Sequence, residues 1–201
     1  MKKLLLFAAC LAAATTAFGQ SKGQVMLGGS VQIHALSDGK VDGGEPVLKT
    51  TGFSISPSLH CFVSDHWALG AGIEYSYVMN KNTRSQYTPR HRVHSFTFTP
   101  SVVYYLKLAE KFYYTPQGFI RVGFNHEVDS ETNTWGYGIG LSPLSFEFRP
   151  VERWGIGFFC GNLTFQHNRT KFDKNDDSKY TSNAFNFALN SSCGIALRYF
   201  F

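Results

Sequence analysis

Charge is scarce in this chain: Asp, Glu, Lys and Arg together make up 16% of its 201 residues. Aromatic residues reach the same 16%, with 19 Phe, and a chain poor in charge and rich in aromatics is not a disordered one. Long apolar runs are also missing. Past the N-terminus the longest uncharged stretch, residues 180–197, holds three Asn and four Ser/Thr. A spanning helix needs about 20 mostly apolar residues, so a helical membrane protein is excluded. Cysteine is sparse, with Cys61, Cys160 and Cys193 beyond Cys10 and no CxxC spacing. That supports neither a disulfide framework nor a zinc site, and the three are read as small apolar side chains. An excess of one charge sign is small as well. The formal +5 falls to +3 if Lys2 and Lys3 are removed, too mild to imply nucleic acid. The length fits one domain.

What is present begins with an export pattern. Lys2 and Lys3 precede an apolar run from Leu4 to Ala14, and Ala17-Phe18-Gly19 is a small-x-small cleavage site before Gln20. Residues 1–19 are therefore expected to be a secretory signal, and residues 20–201 one exported domain.

From residue 23 onward the dominant period is two, the strand period. Phe185, Phe187, Leu189, Ser191, Cys193, Ile195, Leu197, Tyr199 and Phe201 share one face near the C-terminus, against Asn186, Ala188, Asn190, Ser192, Gly194, Ala196 and Arg198. The pattern predicts eight strands, over residues 23–36, 51–63, 67–79, 93–108, 112–125, 134–148, 154–167 and 183–201. Their connections alternate: long and polar at 37–50, 80–92, 126–133 and 168–182, tight at 64–66, 109–111 and 149–153. Pro57, Pro100 and Pro143 recur at intervals of 43 residues, one hairpin and one long loop per period. Each is expected at a bulge or local break, and further slips in phase near Pro143 and Phe158-Phe159 read as bulges.

One face of every strand is large and apolar, as in Trp67, Leu69, Ile73, Tyr75 and Tyr77; the other is small or polar, as in Gly70, Gly72, Glu74 and Ser76. An eight-stranded barrel is only just wide enough to fill with side chains. Eight rows of Phe, Tyr, Leu and Trp do not fit inside, whereas rows of Gly, Ser and Ala do. The apolar face therefore points outward to lipid, and a closed barrel is the sheet that satisfies its backbone there. Aromatics gather toward both strand ends, with Trp67, Tyr104 and Trp154 at one and Tyr75, Phe124 and Trp135 at the other, as in interfacial girdles. The expected fold is all-β: an eight-stranded antiparallel up-and-down transmembrane β-barrel after a cleaved signal peptide.

The signal, the eight amphipathic strands and the ending Ile195-x-Leu197-x-Tyr199-x-Phe201 resemble the small outer-membrane β-barrels of Gram-negative bacteria, OmpX and the OmpA membrane domain among them. The Pro-bearing strands and the turn from Val63 to Gly70 resemble the porin-like barrel proteins of Bacteroidota. The resemblance implies a cell outer-membrane location and contact with outer-membrane lipid and lipopolysaccharide. It also implies that Ile195, Leu197, Tyr199 and Phe201 are an assembly signal read by the barrel-insertion machinery. The expected role is non-enzymatic, structural or adhesive, for a monomer whose four long loops meet the outside. A narrow channel or porin and a soluble lipocalin-like ligand-binding barrel stand as rivals.

Motifs for chemistry are few. The His-x-Ser pair of the outer-membrane lipid A deacylases is absent, His94-Ser95 being adjacent and so on opposite faces. Gly-x-Ser-x-Gly, His-Glu-x-x-His and phosphate-loop patterns do not occur. Asp173-x-Asn175-x-Asp177 lacks the glycine and the bidentate acid of a calcium loop. No cofactor or metal is expected. The polar face carries Glu74, Arg121, Arg198, His34 and His60, with Lys107, and Glu74 is expected to pair with Arg121 or Arg198 across the lumen. In the second loop Lys81, Arg84, Arg90 and Arg92 surround Tyr87 without an acid, while Glu127, Asp129 and Glu131 make the third loop negative. That split makes the second loop the candidate contact for an extracellular anionic glycan.

Overall fold

A computed structural model describes residues 22–38, 48–82, 90–171 and 179–201. The expected signal segment lies outside them. Alternation of large and small side chains gives the chain one secondary structure: β1 (Val25–Asp38), β2 (Leu48–Phe62), β3 (Trp67–Asn82), β4 (Arg90–Tyr104), β5 (Leu106–Ala109), β6 (Phe112–Tyr114), β7 (Gln117–Glu127), β8 (Thr132–Ser142), β9 (Leu144–Val151), β10 (Trp154–Lys171) and β11 (Lys179–Phe200). They form one antiparallel sheet in the order β11-β1-β2-β3-β4-β7-β8-β10-β9-β6-β5. β10 pairs with β8 and β9 on one side and with β11 on the other, and β11 pairs with β1. The pairings thus return to the strand from which they start.

Three of the eight expected spans are divided. Tyr105 separates β4 from β5, residues 115–116 separate β6 from β7, and Pro143 separates β8 from β9. Backbone bonding carries on beside these breaks, with Tyr105 N donating to His66 O at 2.7 Å and Thr115 N to Ser145 O at 2.7 Å. The strands also run further toward the long loops than expected, since ladder hydrogen bonds do not require apolar side chains.

Pro57 and Pro100 make gaps rather than bulges, whereas the phase of the alternation does slip at Pro143. Pro57 stands opposite Gly29, and the β2–β3 register is the same at Ile55↔Tyr75 as at Ser58↔Gly72. Pro100 stands opposite Ala71, and the β4–β7 register holds from Phe98↔Val122 to Ser101↔Phe119. Each missing N–H interrupts one ladder without shifting it. The slip expected at Phe158-Phe159 occurs two residues later, between Cys160 and Asn162, where Gly161 has φ 73°. A Cβ at that angle is strained by about 1–2 kcal/mol. Gly161→Ala should therefore lower stability by about 1 kcal/mol, read from the midpoint of denaturant unfolding of the folded protein.

The sheet curls so that its small-residue face encloses space while its apolar face is left outside, with Ile33 82%, Phe185 69%, Ile195 68% and Trp135 58% exposed. The enclosed face is not polar throughout. At the end of the tight turns Met26, Phe62, Ala68, Val103, Tyr105 and Phe200 form a buried apolar cluster. Met26 stands opposite Phe200, and Ala68 opposite both Phe62 and Val103, with the Tyr105 ring 5.0 Å from that of Phe62. The expected interior is one of small residues with a few polar groups; side chains of this size fit only where the interior is being filled.

Candidate functional site

Past the break at Pro143 the alternation restarts, and Ser145, Glu147 and Arg149 turn inward while Leu144 and Phe148 face out. Glu147 is 0% exposed and Arg149 7%. The Glu147 carboxylate accepts from both flanking guanidiniums: Arg149 Nε bonds Oε1, and Arg198 Nη1 bonds Oε2 at 2.5 Å. The Tyr105 hydroxyl lies 3.2 Å from the same Oε2 and 3.0 Å from Met26 Sδ. Room for this contact comes from Gly155, where a Cβ would lie 3.0 Å from Glu147 Cδ. Arg149 also lies over the Phe200 ring at 3.7 Å and the Tyr113 ring at 4.7 Å, so aromatic faces take up part of the second positive charge. Buried charge survives only when paired and hydrogen-bonded. The arrangement is a plug, in which ion pairs and the apolar cluster close one end of the interior.

Arg198 was expected to find an acid, and its acid is Glu147 rather than Glu74. Glu74 and Arg121 line two shared cavities: one of about 180 Å³ that also touches His60 and Arg198, and one of about 290 Å³ nearer the long loops with Ser95, Thr97, Asn125, Gln166 and Asn168. Among the described residues they do not form an ion pair with each other or with any other charge. The register explains why. Glu74 stands opposite Thr97 and Thr97 opposite Gly123, which leaves Arg121 two strands across and two residues along, roughly 12 Å away by strand spacing and rise. Arg121 instead sets its guanidinium 5.5 Å from the Phe119 ring. Lys107 keeps the inward phase, opposite Tyr113 at the edge of the buried cluster and between the outward Leu106 and Leu108, but it is exposed.

His60 is buried and shares a 2.8 Å hydrogen bond between Nε2 and Ser101 Oγ. This brings a histidine and a serine together where sequence spacing showed none. A nucleophile–base pair also needs a third group to orient the base, and His60 Nδ1 has no partner among the described residues. His94 and Ser95 do lie on opposite faces, His94 against the Tyr77 ring at 5.0 Å and Ser95 on the inner cavity. Among the described residues no group of three His, Cys, Asp or Glu gathers as a metal site. Cys61 carries a free thiol.

At the long-loop rim Val93 stands opposite Glu127, so the second and third loops are neighbours and part of their opposite charge is paired. Arg92 Nη2 bonds Asp129 Oδ1 at 2.8 Å, the Arg92 amide bonds Oδ2 at 2.7 Å, and His91 Nδ1 bonds Glu127 Oε1. Lys81 and Arg90 face each other across the hairpin. Arg84, Tyr87 and the His34 side chain lie outside the described residues, as do Asp173, Asn175 and Asp177. The hydrogen bonds from Arg92 hold the Asp129 carboxyl below the usual carboxylate range. This clamp is present at neutral pH and is lost only as pH falls through the lowered Asp129 value. Arg92→Ser should return Asp129 to an ordinary carboxylate titration, measured by carboxyl carbon NMR.

The C-terminal row keeps its expected face. Ile195 and Leu197 are exposed, Tyr199 packs edge-on against Trp154 at 5.0 Å and Phe201 at 4.8 Å, and Phe201 N donates to Val25 O. Sequence reasoning missed Tyr105, Glu147, Arg149 and Phe200. Restarting the alternation after Pro143 places Glu147 and Arg149 inward, a signal hidden when residues 149–153 are read as a tight connection. Phe200 shares its phase with Arg198.

No family model matches the chain, and no curated protein matches it. Among solved structures, it is similar to the outer membrane protein OprG from Pseudomonas aeruginosa, with 14% sequence identity, 91% of this chain and 98% of that chain covered, and a TM-score of 0.49.

Proposed function

We propose that the returning pairings close an eight-stranded transmembrane β-barrel, with β4–β5, β6–β7 and β8–β9 each acting as one spanning strand, exported to the outer membrane and non-enzymatic. The observation that carries this reading is the inversion of the faces. Large apolar side chains cover the outside while charged and small polar groups line enclosed cavities, the reverse of a soluble ligand-binding barrel. The plug of Glu147, Arg149, Arg198, Tyr105 and Phe200 favours a blind cup, open toward the long loops, over a channel. Surface contact through those loops is then the role left to the molecule, with the exposed C-terminal row available to the insertion machinery. Anionic glycan remains the partner proposed for the second loop, carried by residues 83–90 rather than by the clamped Arg92.

Two measurements test the reading. Cell fractionation should recover the protein with the outer membrane, released only by detergent and migrating faster unheated than boiled. In planar bilayers the parental protein should give no steady conductance steps, whereas Phe200→Ala combined with Arg149→Ala should open them. Recovery in the aqueous fraction would refute the barrel, and steady conductance by the parental protein would refute the blind cup.

A further inference from the structure

The apolar face is ruled in rows by the pairing register. Leu69, Val102, Gly118, Leu141 and Leu163 form one row. Two residues closer to the long loops, Ile120, Ile139, Phe165 and Phe185 form the next, in line with Pro100. Gly118 puts no side chain into the first row, and an almost wholly apolar groove of about 770 Å³ lies along these two rows. On β10 the same face then carries His167, Arg169 and Lys171, each step being about 7 Å further along the strand.

The top of this column has an unusual pairing. Lys171 stands directly opposite Lys179, and Arg169 lies beside Trp135 in the adjoining strand. Like charges directly opposite in a sheet destabilise it. Among the described residues none of these three cations forms an ion pair; the nearest acids in the chain are Asp173, Asp176 and Asp177 of the adjoining loop. One rung away His167 bonds Asn183 Oδ1 through Nδ1 at 2.7 Å, and His126 bonds Asn133 Oδ1 at 2.9 Å, so the polar band is ordered. An apolar groove that leads along one strand to three clustered cations matches a molecule with a long apolar part and an anionic end.

Resting on the barrel reading above, we propose that the outer face of β8, β10 and β11 is a binding site for one anionic lipid. Its phosphate sits among Arg169, Lys171 and Lys179, and its acyl chains lie in the groove left by Gly118. The rest of the outer face makes ordinary, unselective contact with the bilayer.

The test uses the full chain inserted in phosphatidylcholine vesicles, with Trp67 and Trp154 changed to Phe so that Trp135 reports. Brominated-chain phosphatidylglycerol, and separately brominated phosphatidylcholine, are added at low mole fraction and Trp135 quenching is followed. The anionic lipid should quench at a mole fraction about five-fold lower, as expected for a few cations near one phosphate. Changing Arg169, Lys171 and Lys179 to Ser should bring the two lipids level. Gly118→Leu, whose Cβ would meet only Val102 Cγ1 at an ordinary 3.5 Å, should reduce the preference with every charge intact. Equal quenching by both lipids in the parental protein, or a preference that survives either change, overturns the site. Loss of the preference on adding inorganic phosphate would overturn it as a lipid site. Heat-modifiable mobility of each vesicle sample reports insertion separately, and a parental chain that does not insert counts against the barrel itself.

Discussion

Glu147→Ala should lower the stability of the folded protein by about 3–5 kcal/mol, the cost of leaving buried charge without its partner. The carboxylate is the one acid that the described residues bring to Arg149 and Arg198, and it is fully buried. Its removal leaves two guanidiniums in the plug with only aromatic faces and the Tyr105 hydroxyl for company. Changing Glu147, Arg149 and Arg198 together to Met or Leu should recover most of the loss, because buried ion pairs replaced by apolar groups of like volume are often neutral or stabilising. Urea unfolding in detergent micelles, followed by loss of the fast-migrating form, measures both. A triple variant as unstable as Glu147→Ala would show that the ion pairs stabilise beyond compensating their own burial.

Phe200→Ala should cost about 3–5 kcal/mol, the range for a buried aromatic replaced by alanine. Phe200 is 1% exposed, stands opposite Met26, and carries the Arg149 guanidinium on its ring. Phe201→Ala, one residue on and in ring contact with Tyr199, should cost less, about 0.5–1.5 kcal/mol, the scale of an aromatic pair. Phe201 should matter instead for delivery: deleting it should sharply lower the amount of folded protein in the outer membrane. The contrast separates two neighbouring phenylalanines by which face each occupies. Equal unfolding midpoints for the two variants would show that Phe200 is not part of the plug.

The all-β antiparallel order and the face of most described residues could be read from the chain. A period of two needs only local backbone geometry, and a row such as Leu69, Ile73, Tyr75 and Tyr77 has no other way to lie on one side. The C-terminal row of Ile195, Leu197, Tyr199 and Phe201 was legible for the same reason. What alternation does not encode is which residues meet across strands far apart in sequence. Glu74 and Arg121 share a face, yet the register leaves them about 12 Å apart along the wall. Arg198 finds Glu147, 51 residues away, because a break at Pro143 resets the phase of β9. The apolar plug and the clamp between Arg92 and Asp129 likewise depend on strand register and on how sharply the sheet curls. Those are properties of the whole set of pairings, decided by tertiary structure, because the curl of the sheet brings side chains distant in sequence within a hydrogen bond of one another.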